Sequence, residues 1–455
     1  MKRIVIAGAG ISGLSLAFEL ERLGATVLVL ESAARAGGKI ETDRRDGYVC
    51  ERGPASYMDR YNSMAPLARR LGIEARVLPA SPAGERRLVV ADGRLHDTPL
   101  DAHTLLRSRL LSWPGKLRLL ADLFLPRGLS ANGQEESVAE FARRRLGAQA
   151  GERLLQPLVS GLYAGDATKV SLPAAFPLMA TLEREHRSLI LGMRADLAQA
   201  KKQIDAPKLS SFQTGLDELT EALACGLGER LRLGVRLVGV ERASGNYRLA
   251  IEEKGQCSTL EADAVVLAIP AHEASQVIQP LAPDLSAVLA AIPYVPVALV
   301  HLGYSTSALP TPPDAYGFFV PASERLKILG AIFTSAFLTG RAPPRFSLFS
   351  VRTGGARHPE MLRLSDEELI SVAHADLRGL LGLAAAPSFV HVVRHERALP
   401  QYTLGHMRRV AALEAGERQH PGLYFHGNAY HNAGLPELVH RSGKLAHRLM
   451  AEVSS

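Results

Sequence analysis

Apolar and polar positions along this chain follow two periods, one of strands and one of helices. Residues 2–9 (KRIVIAGA) form a short apolar run of strand length, Leu14, Leu16, Ala17 and Leu20 then take helical spacing, and residues 25–30 (ATVLVL) form a second strand. Residues 67–79 predict a helix then a strand, and residues 85–95 a β-hairpin on the Asp92-Gly93 turn, with arginines at the start of its first strand. Residues 101–128 carry leucine at helical spacing with basic residues between, the sole tryptophan, Trp113, and Pro114 opening the second of two helices. Helical character continues through 137–146 and 151–158, breaks at 160–166 and returns as one helix over 172–192. After a loop at 206–212 and a helix at 216–227, strands dominate at 231–233, 235–241, 247–252, 264–269, 296–304, 317–320, 328–333, 346–351 and 390–394, with a helix at 366–381. The chain finishes with a strand at 422–427 and a helix from Gly434 to about Glu452.

The first strand ends in Gly8-x-Gly10-x-x-Gly13, and the second delivers Glu31. Gly8 suits a tight turn, Gly10 lets backbone approach a pyrophosphate, Gly13 lets helix pack on strand, and Glu31 can accept from ribose hydroxyls. The phosphates are expected over the free N–H groups of Ile11, Ser12 and Gly13 at the helix N-terminus. A lone glycine triplet is a weak signal, but strand, turn, helix, strand and acid in this order are a strong one. Ser32, Arg35, Gly37, Gly38 and Lys39, followed by Gly53-Pro54-Ala55-Ser56, resemble the ExxxRxGGxxxT signature of the flavin-dependent amine oxidase superfamily. That resemblance implies FAD, with the second glycine turn round the pyrophosphate and the Gly-Pro segment near the flavin.

A chain of 455 residues has room for two or three domains. A net charge of +7 invites a nucleic-acid or membrane partner, but no nucleic-acid motif accompanies it and aromatic content is only 5%, so no nucleic acid is expected. Cys50, Cys225 and Cys257 are scattered and predict free thiols in a reducing compartment. The sequence opens directly on the first strand, so no secretory signal is expected, and no apolar run is long enough to span a bilayer. The basic amphipathic pair at 101–128 fits either ordinary helical packing or a membrane surface. The histidine spacings match no helical ligand pair, and no metal is expected.

Residues 161–166 (GLYAGD), 183–189 (EREHRSL), 211–216 (SFQTGL), 400–406 (PQYTLGH) and 427–430 (GNAY) are similar, nearly end to end, to the oxygen-dependent protoporphyrinogen oxidases of bacteria and plastids. The resemblance implies a discontinuous Rossmann-like FAD-binding domain (1–76, 206–273, 394–455), a mixed-sheet substrate domain (77–95, 274–393) and a helical membrane-binding domain (96–205), an α/β plus α+β fold. It implies oxidation of protoporphyrinogen IX to protoporphyrin IX in tetrapyrrole synthesis, hydride passing from a methylene bridge to flavin N5 and electrons on to oxygen or a quinone-like acceptor. Coproporphyrinogen III is the alternative substrate; phytoene-desaturase-like or amine-oxidising chemistry ranks lower, the latter because residues 295–304 contain no lysine.

Carried over by position, Arg87 faces a propionate, Phe319 and Leu329 form walls, Ala164 and Gly165 approach the macrocycle, and the Leu237 backbone meets adenine. Gly427, Asn428, Gly434 and Leu435 complete the flavin side, and no residue is assigned as catalytic acid or base. Three departures stand out: His395 replaces a common tryptophan, residues 431–434 replace a more glycine-rich turn, and Arg352 replaces an apolar residue. Arg352 either adds a carboxylate partner or points outward, as exposed strand arginines commonly do, and the outward reading is the expectation. Residues 183–189 and the other marks of the resemblance are taken as favouring protoporphyrinogen IX. A cytoplasmic protein, peripheral on the inner face of the cell membrane, is expected, and a homodimer is compatible with the resemblance.

Overall fold

Arg3–Ala7 pairs with strands from distant parts of the chain. It lies at the centre of a five-stranded parallel sheet in the order Leu231–Leu233, Thr26–Glu31, Arg3–Ala7, Ala264–Leu267, Leu423–Phe425. The computed structural model describes residues 3–99, 101–128, 135–200, 208–243, 245–431 and 434–454. Ile4, Ile6, Val27, Val29 and Val266 enter a core with helices Ile11–Arg22, Asp217–Leu227 and Leu435–Ser454. Val5, Ala7, Leu30, Val265 and Leu267 enter a second core with helices Ala271–Ile278 and Pro283–Ala290 and the antiparallel sheet Val235–Ala243, Asn246–Glu253, Gln256–Ala262. Burial on both faces is why these strands are unbroken apolar runs in sequence.

A second, seven-stranded sheet runs Phe389–Pro400, Tyr294–Ser305, Phe346–Gly354, Ile328–Ile332, Gly317–Phe319, Arg87–Ala91, Arg94–Asp97. One face packs Leu88, Val90, Val300, Phe318, Phe349 and Val351 under helix Asp366–Leu381. That helix has its predicted bounds because both ends are written locally: Ser365 and Glu368 form a capping box, and Gly382 ends it at φ 66°. The opposite face carries Val297, Leu299, Leu329 and Val393, against Ala164 of the helical region. That region contains Ala102–Arg107, Trp113–Leu120, Val138–Arg145, Gln156–Tyr163, Pro177–His186 and Leu189–Ala200.

Several elements differ from the sequence expectation. The single helix over 172–192 is three, Leu172–Ala175, Pro177–His186 and Leu189–Ala200; Pro177 starts a new helix, and Arg187 turns left-handed at φ 63°. The described part of the loop at 206–212 contains a strand, Leu209–Phe212, sandwiched between Tyr57–Met58 and Val77–Pro79. Its partners are remote in sequence, so no local period announces it. Helix His406–Gln419, mostly charged and with Leu413 as its main buried apolar anchor, escaped the periodicity too. The boundaries expected at 273/274 and 393/394 cut helix Ala271–Ile278 and strand Phe389–Pro400, which run through them. Cys50, Cys225 and Cys257 are unpaired.

Candidate functional site

The glycine turn follows the physical duties read from its spacing. Gly8 sits at φ 102°, and a Cβ there would come within 2.6 Å of the Ala268 carbonyl oxygen. A Cβ on Gly13 would lie 1.9 Å from the Gly8 carbonyl oxygen, which is how close the helix approaches the strand. A Cβ on Gly10 would meet no protein atom within 4 Å. Gly10 caps helix Ile11–Arg22, which has neither a capping side chain nor an acid in its first turn. Its first N–H groups therefore face open space at the positive end of the helix dipole, which fits a pyrophosphate.

The second glycine turn closes over the first. Gly37 bridges to Gly10, with its N–H donating to the Ala9 carbonyl at 2.8 Å, and a Cβ on Gly38 would lie 3.3 Å from the Gly10 Cα. Glu31 accepts from the Ala9 N–H at 2.8 Å and the Ala33 N–H at 2.9 Å, so its carboxylate stands at the strand end beside the turn. Ser32 is exposed beside it, and Leu237 lies at a bulge of strand Val235–Ala243 with its side chain in the core. The Arg35 guanidinium donates to the carbonyls of Ala36 (2.9 Å) and Gly38 (2.7 Å) and pairs with Glu41, bracing the turn.

Beyond the turn, Gly53 packs so closely that its Cβ would lie 2.2 Å from the Lys39 carbonyl oxygen. Pro54, Ala55 and Ser56 follow, half-buried. Lys39 lies 5.8 Å from the Tyr294 ring centroid, and burial lowers its pKa. Across from this strip, Tyr402 donates to the carbonyls of Asn428 and His431 (2.7 Å to the latter), and Gly427 sits at φ 142°. The turn expected at 431–434 falls partly outside the described residues. Gly434 and Leu435 open the terminal helix, which Ser442 fastens to the first helix through Ser15 (2.8 Å) and to His426 (2.8 Å). Burial pushes His426 down to about 4, His406 to about 4 and His431 to about 3, and also lowers His395, whose Nε2 faces the Arg52 carbonyl at 2.7 Å. These histidines stand neutral at pH 7.

On the side expected to meet substrate, Phe319 touches the helix Gln156–Tyr163 so closely that a Cβ on Gly161 would lie 2.2 Å from its ring. Ala164, left-handed at φ 50°, is fully buried, and its carbonyl accepts from the Ala356 N–H at 2.8 Å. Gly165 lies against Gln401 and Val170, and Leu329 against Gly355. Arg87 is half-buried, with its guanidinium 5.4 Å from the Tyr316 ring centroid. The outward expectation for Arg352 is wrong: its side chain turns inward and donates to the Gly161 carbonyl. Gln401, whose Nε2 donates to the Tyr163 carbonyl at 2.9 Å, and Gly355, at φ 67° against Ala164, shape the same wall; neither was given a site role from sequence, although Gln401 lies in the 400–406 motif. The adjacent Gly354-Gly355 pair was the available signal for the second.

Residues 183–189 have a structural explanation that leaves their link to substrate choice without support. Glu183 is fully buried, paired with Arg144 (2.7 Å) and Arg145 (2.7 Å), and it accepts from the Gly128 N–H at 3.0 Å. Arg145 is fully buried against Asp122 at 3.2 Å, and Ser188 donates to Asp122 at 2.6 Å. The motif locks helices together.

Residues 11–448 match the family model described as flavin containing amine oxidoreductase. The coproporphyrinogen III oxidase of Bacillus subtilis (strain 168) is 32% identical over 465 residues, 98% of this chain and 97% of that protein. The chloroplastic protoporphyrinogen oxidase of Nicotiana tabacum is also 32% identical, over 97% of this chain and 84% of its own length. A solved protein of Exiguobacterium sp. 255-15 superposes with a TM-score of 0.82 at 28% identity, covering 100% of this chain and 99% of the other.

Proposed function

The chain belongs to the flavin containing amine oxidoreductase family, and on that premise we propose that it is an FAD-dependent porphyrinogen oxidase. Its substrate is protoporphyrinogen IX, oxidised to protoporphyrin IX, with coproporphyrinogen III as the alternative. The observation that carries this reading is the wall beside the dinucleotide cradle: apolar Phe319, Leu329 and Ala164 together with arginines that have no carboxylate partner among the described residues. Such a wall suits a largely apolar macrocycle bearing carboxylates.

Bound FAD supplies the hydride acceptor, and oxygen or a quinone-like acceptor takes the electrons onward. The chain itself binds and orients. Gly10 and the helix behind it hold the pyrophosphate, Arg35 keeps the second turn in place, and Phe319 and Leu329 exclude water from the bridging carbons. Arg87 holds a propionate. Burial makes His395, His406, His426 and His431 weak proton acceptors, so protons lost from the substrate's N–H groups pass to solvent. Strand Tyr294–Ser305 contains no lysine, which disfavours amine oxidation.

The test is anaerobic. Adding a porphyrinogen to the purified FAD form should bleach the visible flavin absorbance, while simple amines and a carotenoid precursor should leave it unchanged. Bleaching by the amines alone would overturn the reading.

We further infer peripheral docking of the helical region on a bilayer. No helix among the described residues is long and apolar enough to cross a membrane. Trp113 (67% exposed), Leu117 (65%) and Phe124 (81%) form an outward apolar face, with Leu106 beside it. The electrostatic part of the expectation weakens: Lys116 is buried, donating to the Leu106 carbonyl at 2.7 Å, and Arg118 is turned onto the carbonyls of Arg144 and Arg145. Arg107 and Arg109 remain exposed. Neutral vesicles should therefore bind the protein nearly as well as anionic ones, and Trp113→Ser with Phe124→Ser should weaken binding by about 2 kcal/mol per aromatic. Vesicle flotation decides; unaltered partition of the double variant would dismiss this face.

A further inference from the structure

Cross-strand partners share a face of a sheet. Arg87 stands two residues before Val89, which pairs with Phe319; Phe319 pairs with Gly330, Gly330 with Arg352, and Arg352 with Leu299. Arg87, Phe319, Arg352 and Leu299 therefore leave the sheet on one side, while Leu88, Val90, Phe318 and Val351 pack into the core on the other. The shared side is the wall described above.

Arg352 lies deep enough in the molecule for burial to lower its pKa, yet its residue keeps partial access to solvent. Both hold for a side chain on the wall of an internal cleft. One of its five N–H donors meets the Gly161 carbonyl, near the C-terminal, negative end of helix Gln156–Tyr163. The remaining donors have no acceptor among the described residues, and none is sealed away from solvent. No carboxylate among the described residues pairs with Arg352 or with Arg87; both arginines lie near Tyr316. An arginine this deep without an anion is a site prepared for one.

Resting on the porphyrinogen reading, we propose that Arg352 is a second carboxylate anchor, which admits substrates bearing propionates where protoporphyrinogen IX has vinyl groups. Coproporphyrinogen III is the substrate of that description. Protoporphyrinogen IX fills the same walls and leaves this anchor unused, so Arg352 sets the ratio between the two. Its contact with Gly161 positions the guanidinium fork on the wall.

The experiment compares kcat/KM for both porphyrinogens in the wild type and in Arg352→Gln, which keeps a polar side chain but removes the charge. The coproporphyrinogen III value should fall by about thirtyfold or more, and by at least about tenfold more than the protoporphyrinogen IX value. Spectral titration of the FAD form with the two porphyrin products, which requires no turnover, should show the same selective loss of affinity for coproporphyrin III. Equal loss on both substrates and both products, or no loss, would assign Arg352 to packing alone and overturn the proposal. Should Arg352→Gln fail to fold, Arg352→Lys decides in the same way: it retains charge without the planar fork, so a smaller loss, still selective, is expected, and an unselective one overturns the anchor. A wild type that oxidises neither porphyrinogen would instead overturn the proposed function.

Discussion

Gly10→Val is expected to purify as a folded, colourless protein. Gly10 has φ −73° and ψ 177°, a conformation open to any residue, and a Cβ there meets no protein atom within 4 Å. The fold should lose little, at most about 1 kcal/mol from a poorer helix cap. The side chain instead enters the space above the free N–H groups of the first helix, where the pyrophosphate must lie. Binding should therefore weaken by about 3 kcal/mol, roughly a hundredfold. Acid precipitation should release yellow flavin into the supernatant from the wild type and none from the variant. Stability must be compared between flavin-free forms, because bound FAD stabilises the folded state by mass action. Gly13→Ala supplies the contrast: its Cβ would fall 1.9 Å from the Gly8 carbonyl oxygen, so helix and strand must separate and the apoprotein itself should suffer. Normal FAD content in Gly10→Val would show that the cofactor lies elsewhere.

Glu183→Gln is expected to destabilise the helical region by about 3–5 kcal/mol, because it leaves buried charge uncompensated. Glu183, Arg145 and Asp122 are all fully buried, and Arg144 joins them from the edge through Glu136 and Glu183. Burial opposes the charged form of Glu183, but hydrogen bonding to Arg144 and the charges of Arg144 and Arg145 hold its carboxyl below its usual range. A carboxyl lowered in the folded state contributes stability above its unfolded pKa, and that contribution disappears as pH falls through the folded value. The gap between wild type and variant should therefore be widest near neutrality and close in acid. Urea unfolding followed at several pH values measures it. A gap that is small or independent of pH would mean that the ion cluster does not hold these helices together. FAD content should remain nearly normal, since the cluster lies outside the cradle.

The cradle was legible because its requirements are local. Gly8 and Gly37 need positive φ, Gly13 needs the absence of a side chain, and Glu31 must end the strand beside them; each demand leaves its mark within a few residues. Helix Asp366–Leu381 was legible for the same reason, through its capping box and its terminal glycine. Its position under the seven-stranded sheet is what settles the direction of Arg352. That helix covers the face with Val351, so the next residue along the strand must look the other way, toward Gly161. From sequence alone an arginine on a strand has two faces to choose from, and the outward one is the commoner. The inward turn of Lys116, and the closure of residues 183–189 round Arg145, likewise depend on partners far along the chain. The chain's own letters thus determined the two glycine turns and the acid beside them, because turns and caps are short-range demands. Which charged side chains turn inward, which stay exposed and which lock the interior was decided only by tertiary structure, because strand register and burial are set by contacts between distant segments.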